Sequence, residues 1–158
     1  MDFMGEHATS PIDGVTRRYP QIIIMKPFNS CPQICVYCQR NWEIKDIDDN
    51  PMMPRTKVME MLEWAREDKK LSEILITGGD PFTLPNKYLD WLIGEVAGMD
   101  HIDRIRIGTR TLVTLPQRIN DGLLKKRALS LFVPILTGKS AIAGSKSILY
   151  SIRFLQNV

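Results

Sequence analysis

Apolar and polar positions follow two different rhythms along this chain. Gln21-Ile-Ile-Ile-Met-Lys26 is a β-branched run flanked by Pro20 and Pro27, the pattern of a short strand buried on both faces. Residues 55–70 follow another period: Val58, Met61, Leu62 and Ala65 recur at helical spacing and basic residues gather at the end, which predicts an amphipathic helix. Glu73 to Thr77 predicts a second buried strand leading into Gly78-Gly79-Asp80-Pro81. Asn86 to Met99 predicts a second helix, and Asp103 to Gly108 a third strand. A period that switches from strand to helix and back predicts β-loop-α units on a parallel sheet.

The two ends read differently. Gly5, Pro11, Gly14 and Pro20 punctuate residues 1–20 and no period is sustained there, so an irregular approach segment is expected. Arg127 to Leu136 reads as a fourth strand, and Gly138 to Val158 has no clear period. Helical crossovers between parallel strands bring the outgoing loops to one rim. The cysteine loop, the Gly-Gly-Asp-Pro loop and the segment after Gly108 are therefore expected to share it, at the strand ends where barrel sites are built. Three to four strands are too few to close a barrel. The expected fold is α/β, an incomplete parallel β/α barrel: an approach segment over 1–20, the barrel part over 21–126 and an atypical basic tail over 127–158.

Charge sharpens that division. All 18 acidic residues lie at or before Asp121; with 15 basic residues the first 122 positions carry −3, whereas the last 36 carry six basic residues, no acid and +6. Those six are scattered among Leu, Ile, Phe, Ser and Gly, so no nucleic-acid site is expected. Gly138-Lys139-Ser140 is not the end of a phosphate-binding loop, because Val133 stands where such a loop needs glycine. No apolar run approaches the roughly 20 residues that span a bilayer, and the N-terminus lacks a basic region followed by an apolar one. A cytoplasmic protein without a membrane partner is the expectation.

All three cysteines fall in Cys31-Pro-Gln-Ile-Cys35-Val-Tyr-Cys38. An odd, clustered count is a poor disulfide framework. Three thiolates are a ligand set with one vacancy, since a four-iron cluster normally takes four cysteines. Zinc completed by His7 or His101 is one alternative, and three inert buried thiols are another. An iron with an open position suits the amino and carboxylate groups of S-adenosylmethionine, whose reductive cleavage yields a 5'-deoxyadenosyl radical. Tyr37, just before the last cysteine, suits packing against the adenine. Gly78 and Gly79 read alone as an ordinary turn or as a close backbone approach to a ligand. On the cysteine rim they become the seat for the methionyl amino group, with Asp80 near. Arg17, Arg18 and Arg40 bracket the cysteine loop, and Arg110 and Arg118 the loop after the third strand, where guanidinium forks suit anionic groups.

Three segments then carry a resemblance: Gly14-Val-Thr-Arg-Arg-Tyr-Pro20 running into the cysteine loop, Leu75-Ile-Thr-Gly-Gly-Asp-Pro81, and Ile105-Arg-Ile-Gly-Thr-Arg-Thr111 with Leu115-Pro-Gln-Arg-Ile119. In order and spacing, over about residues 10–126, they resemble lysine 2,3-aminomutase and its radical SAM relatives. The resemblance implies a partial barrel of the radical SAM type with a [4Fe-4S] cluster on Cys31, Cys35 and Cys38. It implies S-adenosylmethionine, an external electron donor and an amino-acid substrate whose amino group migrates on pyridoxal phosphate, an isomerase reaction. It places Gly78, Gly79 and Asp80 at S-adenosylmethionine, Arg18 and Tyr19 near pyridoxal phosphate, and Arg40 at the substrate carboxylate.

The sequence departs from that family at two points. A second family arginine of the pyridoxal phosphate region aligns near Ile22. The family's Schiff-base lysine lies in a glycine-rich stretch that Gly138-Lys139 does not match, and residues 127–158 show no resemblance. The expectation is an N-terminal fragment that binds the cluster and has incomplete mutase activity. The alternatives are a glutamate 2,3-aminomutase-like enzyme, a non-catalytic zinc-held scaffold, and a partial barrel needing a partner chain, whose unclosed sheet edges invite self-association.

Overall fold

Two rows of side chains organise the sheet. Ile23, Ile74 and Ile105 align across three parallel strands, and Met25, Ile76 and Ile107 form the next row. All six are buried and share one core with Val58, Met61, Leu62 and Ala65 of one helix and Leu89, Leu92, Ile93 and Val96 of another. Burying each such side chain is worth about 1.5–3 kcal/mol, so the strand rows and the two helix faces together supply most of the core. A computed structural model describes residues 5–44, 49, 52–124 and 151–152.

The elements are β1 (Val15–Tyr19), β2 (Ile22–Phe28), α1 (Arg55–Glu67), β3 (Glu73–Gly78), α2 (Asn86–Ala97), β4 (Arg104–Ile107), the short helices α3 (Thr111–Thr114) and α4 (Asp121–Leu124), and β5 (Ser151–Ile152). The sheet order is β1-β2-β3-β4-β5. Strands β2 to β5 run parallel and β1 lies antiparallel on β2. The described sheet is thus four substantial strands, mixed and unclosed, extended by a two-residue fifth.

The expected β-α alternation is present: α1 joins β2 to β3, and α2 joins β3 to β4. The C-terminal ends of the three strands consequently emerge on one rim. Two readings need correction. The segment read as irregular holds β1, whose Thr16-Arg17-Arg18 hides the strand from a hydropathy pattern. Arg17 pairs with Ile23 in register, yet its charged end reaches Asp68 at 2.6 Å and lies 5.7 Å from the Trp64 ring, so its stem covers apolar surface while the charge stays partnered. Nor is β2 buried on both faces. Ile22 and Ile24 are half-buried, because the helix core covers the opposite face. The strand read over 127–136 and most of the basic tail lie outside the described residues.

Candidate metal centre

The rim begins where β2 and β3 end. The Gly79 N–H donates to the Phe28 carbonyl at 2.6 Å, and the Asp80 N–H to the Ser30 carbonyl at 2.9 Å. These bonds stitch the root of the cysteine loop to the glycine loop. Gly78 has φ +124°, a conformation side chains rarely adopt, and a Cβ at Gly79 would collide with the Ser30 backbone. On the side where a Cβ would project, the close approach that the glycines permit is of chain onto chain.

Asp80, 5% exposed, has its carboxylate saturated from within. Oδ1 accepts the Phe82 N–H at 3.0 Å and the Thr109 hydroxyl at 2.6 Å. Oδ2 accepts the N–H groups of Arg110 at 2.7 Å and Thr111 at 2.9 Å. The carboxylate thereby ties the β3 loop to the β4 loop. Four donors are enough to satisfy a buried charge.

The three thiols are free and half-buried. The Cys38 N–H donates to the Cys35 carbonyl at 3.0 Å, bending the loop into a turn. Burial first, then the negative charges of Asp80 and Cys38, push the Cys31 thiol up to about 11. At Cys35 the surroundings are cationic: Arg110 Nη1 donates to its Sγ at 2.7 Å, and the same guanidinium lies 5.6 Å from the Tyr37 ring. The Tyr37 ring is 61% exposed and stands beside exposed Ile34 and Val36.

Among the described residues no three His, Cys, Asp or Glu side chains are grouped to hold one metal ion. His101 precedes β4, at the end of the sheet away from the cysteines, and its Nε2 bonds the Ala65 carbonyl at 3.0 Å. His7 packs against Trp42, the rings tilted by 50° with centroids 5.2 Å apart. Cys35 and Cys38 both bear on the charge of Cys31, and three thiols of one loop are donors of the kind that hold iron-sulfur clusters.

Arg40 is buried and already holds a carboxylate. Its Nε and Nη2 donate to Glu6 at 3.0 and 3.1 Å, and Lys26 Nζ lies 3.3 Å from Glu6 and 3.8 Å from Glu43. Burial opposes ionisation of Glu6, but Arg40 and Lys26 outweigh it and hold the carboxyl below its ordinary 4.5. Arg18 and Tyr19 are not brought to the rim. Tyr19 pairs with Ile22 at the start of β2, roughly 20 Å from Phe28 at about 3.3 Å per residue. Arg118 donates to the Leu84 carbonyl at 2.8 Å, a bond within the fold. Sequence reasoning missed Glu6 and Thr109. Thr109 lies inside the Gly-Thr-Arg-Thr segment quoted for the resemblance, a signal that was there to use, whereas nothing local marks Glu6.

The radical SAM superfamily profile matches residues 25–138. An uncharacterized KamA family protein of Methanocaldococcus jannaschii is 55% identical over 122 residues, 77% of this chain and 20% of that protein. Glutamate 2,3-aminomutase of Clostridioides difficile is 40% identical over 129 residues, 80% of this chain and 30% of that enzyme. L-lysine 2,3-aminomutase of Methanococcus maripaludis is 32% identical over 123 residues, 78% of this chain and 28% of that enzyme. The chain thus spans between a fifth and three tenths of the length of these relatives. No helix among the described residues is long and apolar enough to cross a membrane.

Proposed function

The chain belongs to the radical SAM superfamily, and from that premise we propose that it binds a [4Fe-4S] cluster through Cys31, Cys35 and Cys38 and takes part in an aminomutase-type isomerisation. When bound, such a cluster passes one electron from an external donor to S-adenosylmethionine, breaking its sulfur–carbon bond to give methionine and a 5'-deoxyadenosyl radical. The observation that carries this reading is the cysteine loop itself. Its root is locked to Gly78-Gly79-Asp80, so three thiols of one loop stand on the rim where the parallel strands end.

The chain's own residues divide the work. The thiols would lose their protons and ligate iron as thiolates. Exposed Tyr37 offers a ring face for the adenine, and the Gly78-Gly79 backbone lines the seat for the methionyl end. Asp80 holds the β4 loop against that seat. Arg40 offers the fork for a substrate carboxylate once Glu6 yields its place. Pyridoxal phosphate would carry the migrating amino group, as the family resemblance implies, and none of Arg18, Tyr19 and Lys26 is placed beside the thiols to hold it. Arg18 and Tyr19 stand at the far end of β2, and Lys26, on the strand between, is ion-paired with Glu6 and Glu43.

A glutamate substrate is the reading favoured over lysine, on the higher identity to the glutamate enzyme across nearly the same stretch. The test is anaerobic reconstitution with iron and sulfide, followed by visible and electron paramagnetic resonance spectra. A cluster signal in the folded chain that is lost in Cys35→Ala supports the reading, and a folded chain without any signal refutes it. Adding reductant and S-adenosylmethionine, and assaying 5'-deoxyadenosine, tests cleavage. Formation of a β-amino acid from glutamate or lysine tests migration separately.

A further inference from the structure

Arg110 is aimed at a sulfur, and its aim is built from both sides. Its backbone N–H is held by Asp80 Oδ2 at 2.7 Å. Its carbonyl accepts the N–H groups of Val113 at 2.8 Å and Thr114 at 3.0 Å, and the Thr114 hydroxyl at 3.2 Å. With the backbone fixed, the side chain crosses to the cysteine loop, where Nη1 donates to Cys35 Sγ at 2.7 Å and the guanidinium faces Tyr37. A solvated arginine would not need an anchor of this kind. The partner lies 75 positions away in sequence, so the contact is a product of the fold.

Hydrogen bonds to the sulfurs of an iron-sulfur cluster are among the levers that set its reduction potential. A cationic donor compensates the negative charge that the cluster gains on reduction, which favours the reduced form. We propose that Arg110 is a positioning residue that raises the reduction potential of the cluster through Cys35 Sγ, and that Asp80 acts on the cluster through Arg110. The inference rests on the reading of Cys31, Cys35 and Cys38 as cluster ligands.

The experiment is a potentiometric titration, followed by electron paramagnetic resonance, of anaerobically reconstituted wild type, Arg110→Gln and Arg110→Lys, without S-adenosylmethionine. At the wild-type midpoint, Arg110→Gln is expected to show a reduced-to-oxidised ratio about tenfold lower, equivalent to about 59 mV for one electron. Arg110→Lys, which keeps the charge but not the planar fork, is expected to fall between. Iron content and far-ultraviolet circular dichroism equal to wild type separate this effect from misfolding. Coincident midpoints at equal iron content overturn the proposal, as does a shift that appears only when S-adenosylmethionine is added, which would assign Arg110 to that ligand. Should Arg110→Gln not hold iron, Arg110→Lys decides: a midpoint below wild type supports the proposal and an equal one overturns it. Absence of a cluster in the wild type refutes the parent reading together with this one, whereas the other negative results refute this one alone.

Discussion

The Thr109 hydroxyl donates to Asp80 Oδ1 at 2.6 Å, joining the loop after β3 to the loop after β4 inside the protein. Asp80 accepts three backbone N–H groups besides, so the β3 and β4 ends of the rim share one buried charge. Asp80→Asn keeps the shape but turns an amide NH2 toward donors. A loss of roughly 2–4 kcal/mol is expected, since hydrogen bonds to charged groups are worth about 1.5–3 kcal/mol and an unsatisfied donor adds its own cost. Thr109→Val is expected to cost about 1–2 kcal/mol. Urea melts of both variants measure this, and an unchanged midpoint for Asp80→Asn would show that the carboxylate is not the tie.

Gly79→Ala tests the junction of the glycine and cysteine loops. The added methyl would meet the Ser30 backbone, which cannot swing away as a flexible side chain could. Overpacking of this kind costs about 1–3 kcal/mol, and displacement of Ser30 moves Cys31 directly. The expected result is reduced stability together with reduced iron uptake on reconstitution. Normal uptake in a stable Gly79→Ala protein would contradict the contact.

The cysteines themselves carry little of the fold. Each is half-buried, and substitutions away from a packed core usually change stability by less than about 0.5 kcal/mol. Cys31→Ala, Cys35→Ala and Cys38→Ala are each expected to keep the wild-type circular dichroism while losing most of the reconstituted iron. Iron bound equally by wild type and all three variants would place the metal elsewhere.

Acid should weaken the Glu6–Arg40–Lys26 cluster in a defined window. The Glu6 carboxyl is held below 4.5 in the folded protein, so its ionised form contributes stability above pH 4.5 that is lost as pH falls through the folded value. Glu6→Gln is expected to be less stable than wild type at pH 7 by about 2 kcal/mol. That gap should hold down to pH 4.5, the ordinary value, and close below it. Denaturant melts between about pH 3 and 7 check the sign, and a gap that widens in acid would be the wrong result.

The period of apolar residues, read without any structure, was enough to find β2, β3, β4, α1 and α2. Each of these elements is decided by side chains a few positions apart that must reach one core. The same period was blind to β1, where Arg17 spends its charge on Asp68 rather than on solvent. The cysteine spacing was likewise legible, because ligands on one loop are local by construction.

What only the tertiary structure decided is who occupies whom. Asp80 is saturated by partners up to 31 positions away, and Arg40 by Glu6, 34 positions away. The space beside Gly79 belongs to Ser30, and Arg18 and Tyr19 stand at the far end of β2 from the thiols. Sequence determined which residue types and which rim this protein brings to its chemistry, since these follow from short-range periodicity and strand direction. The partner of each charge depends on distances that exist only once the strands are paired, and those distances make Asp80 a tie, Arg110 a donor to sulfur and Glu6 the tenant of Arg40.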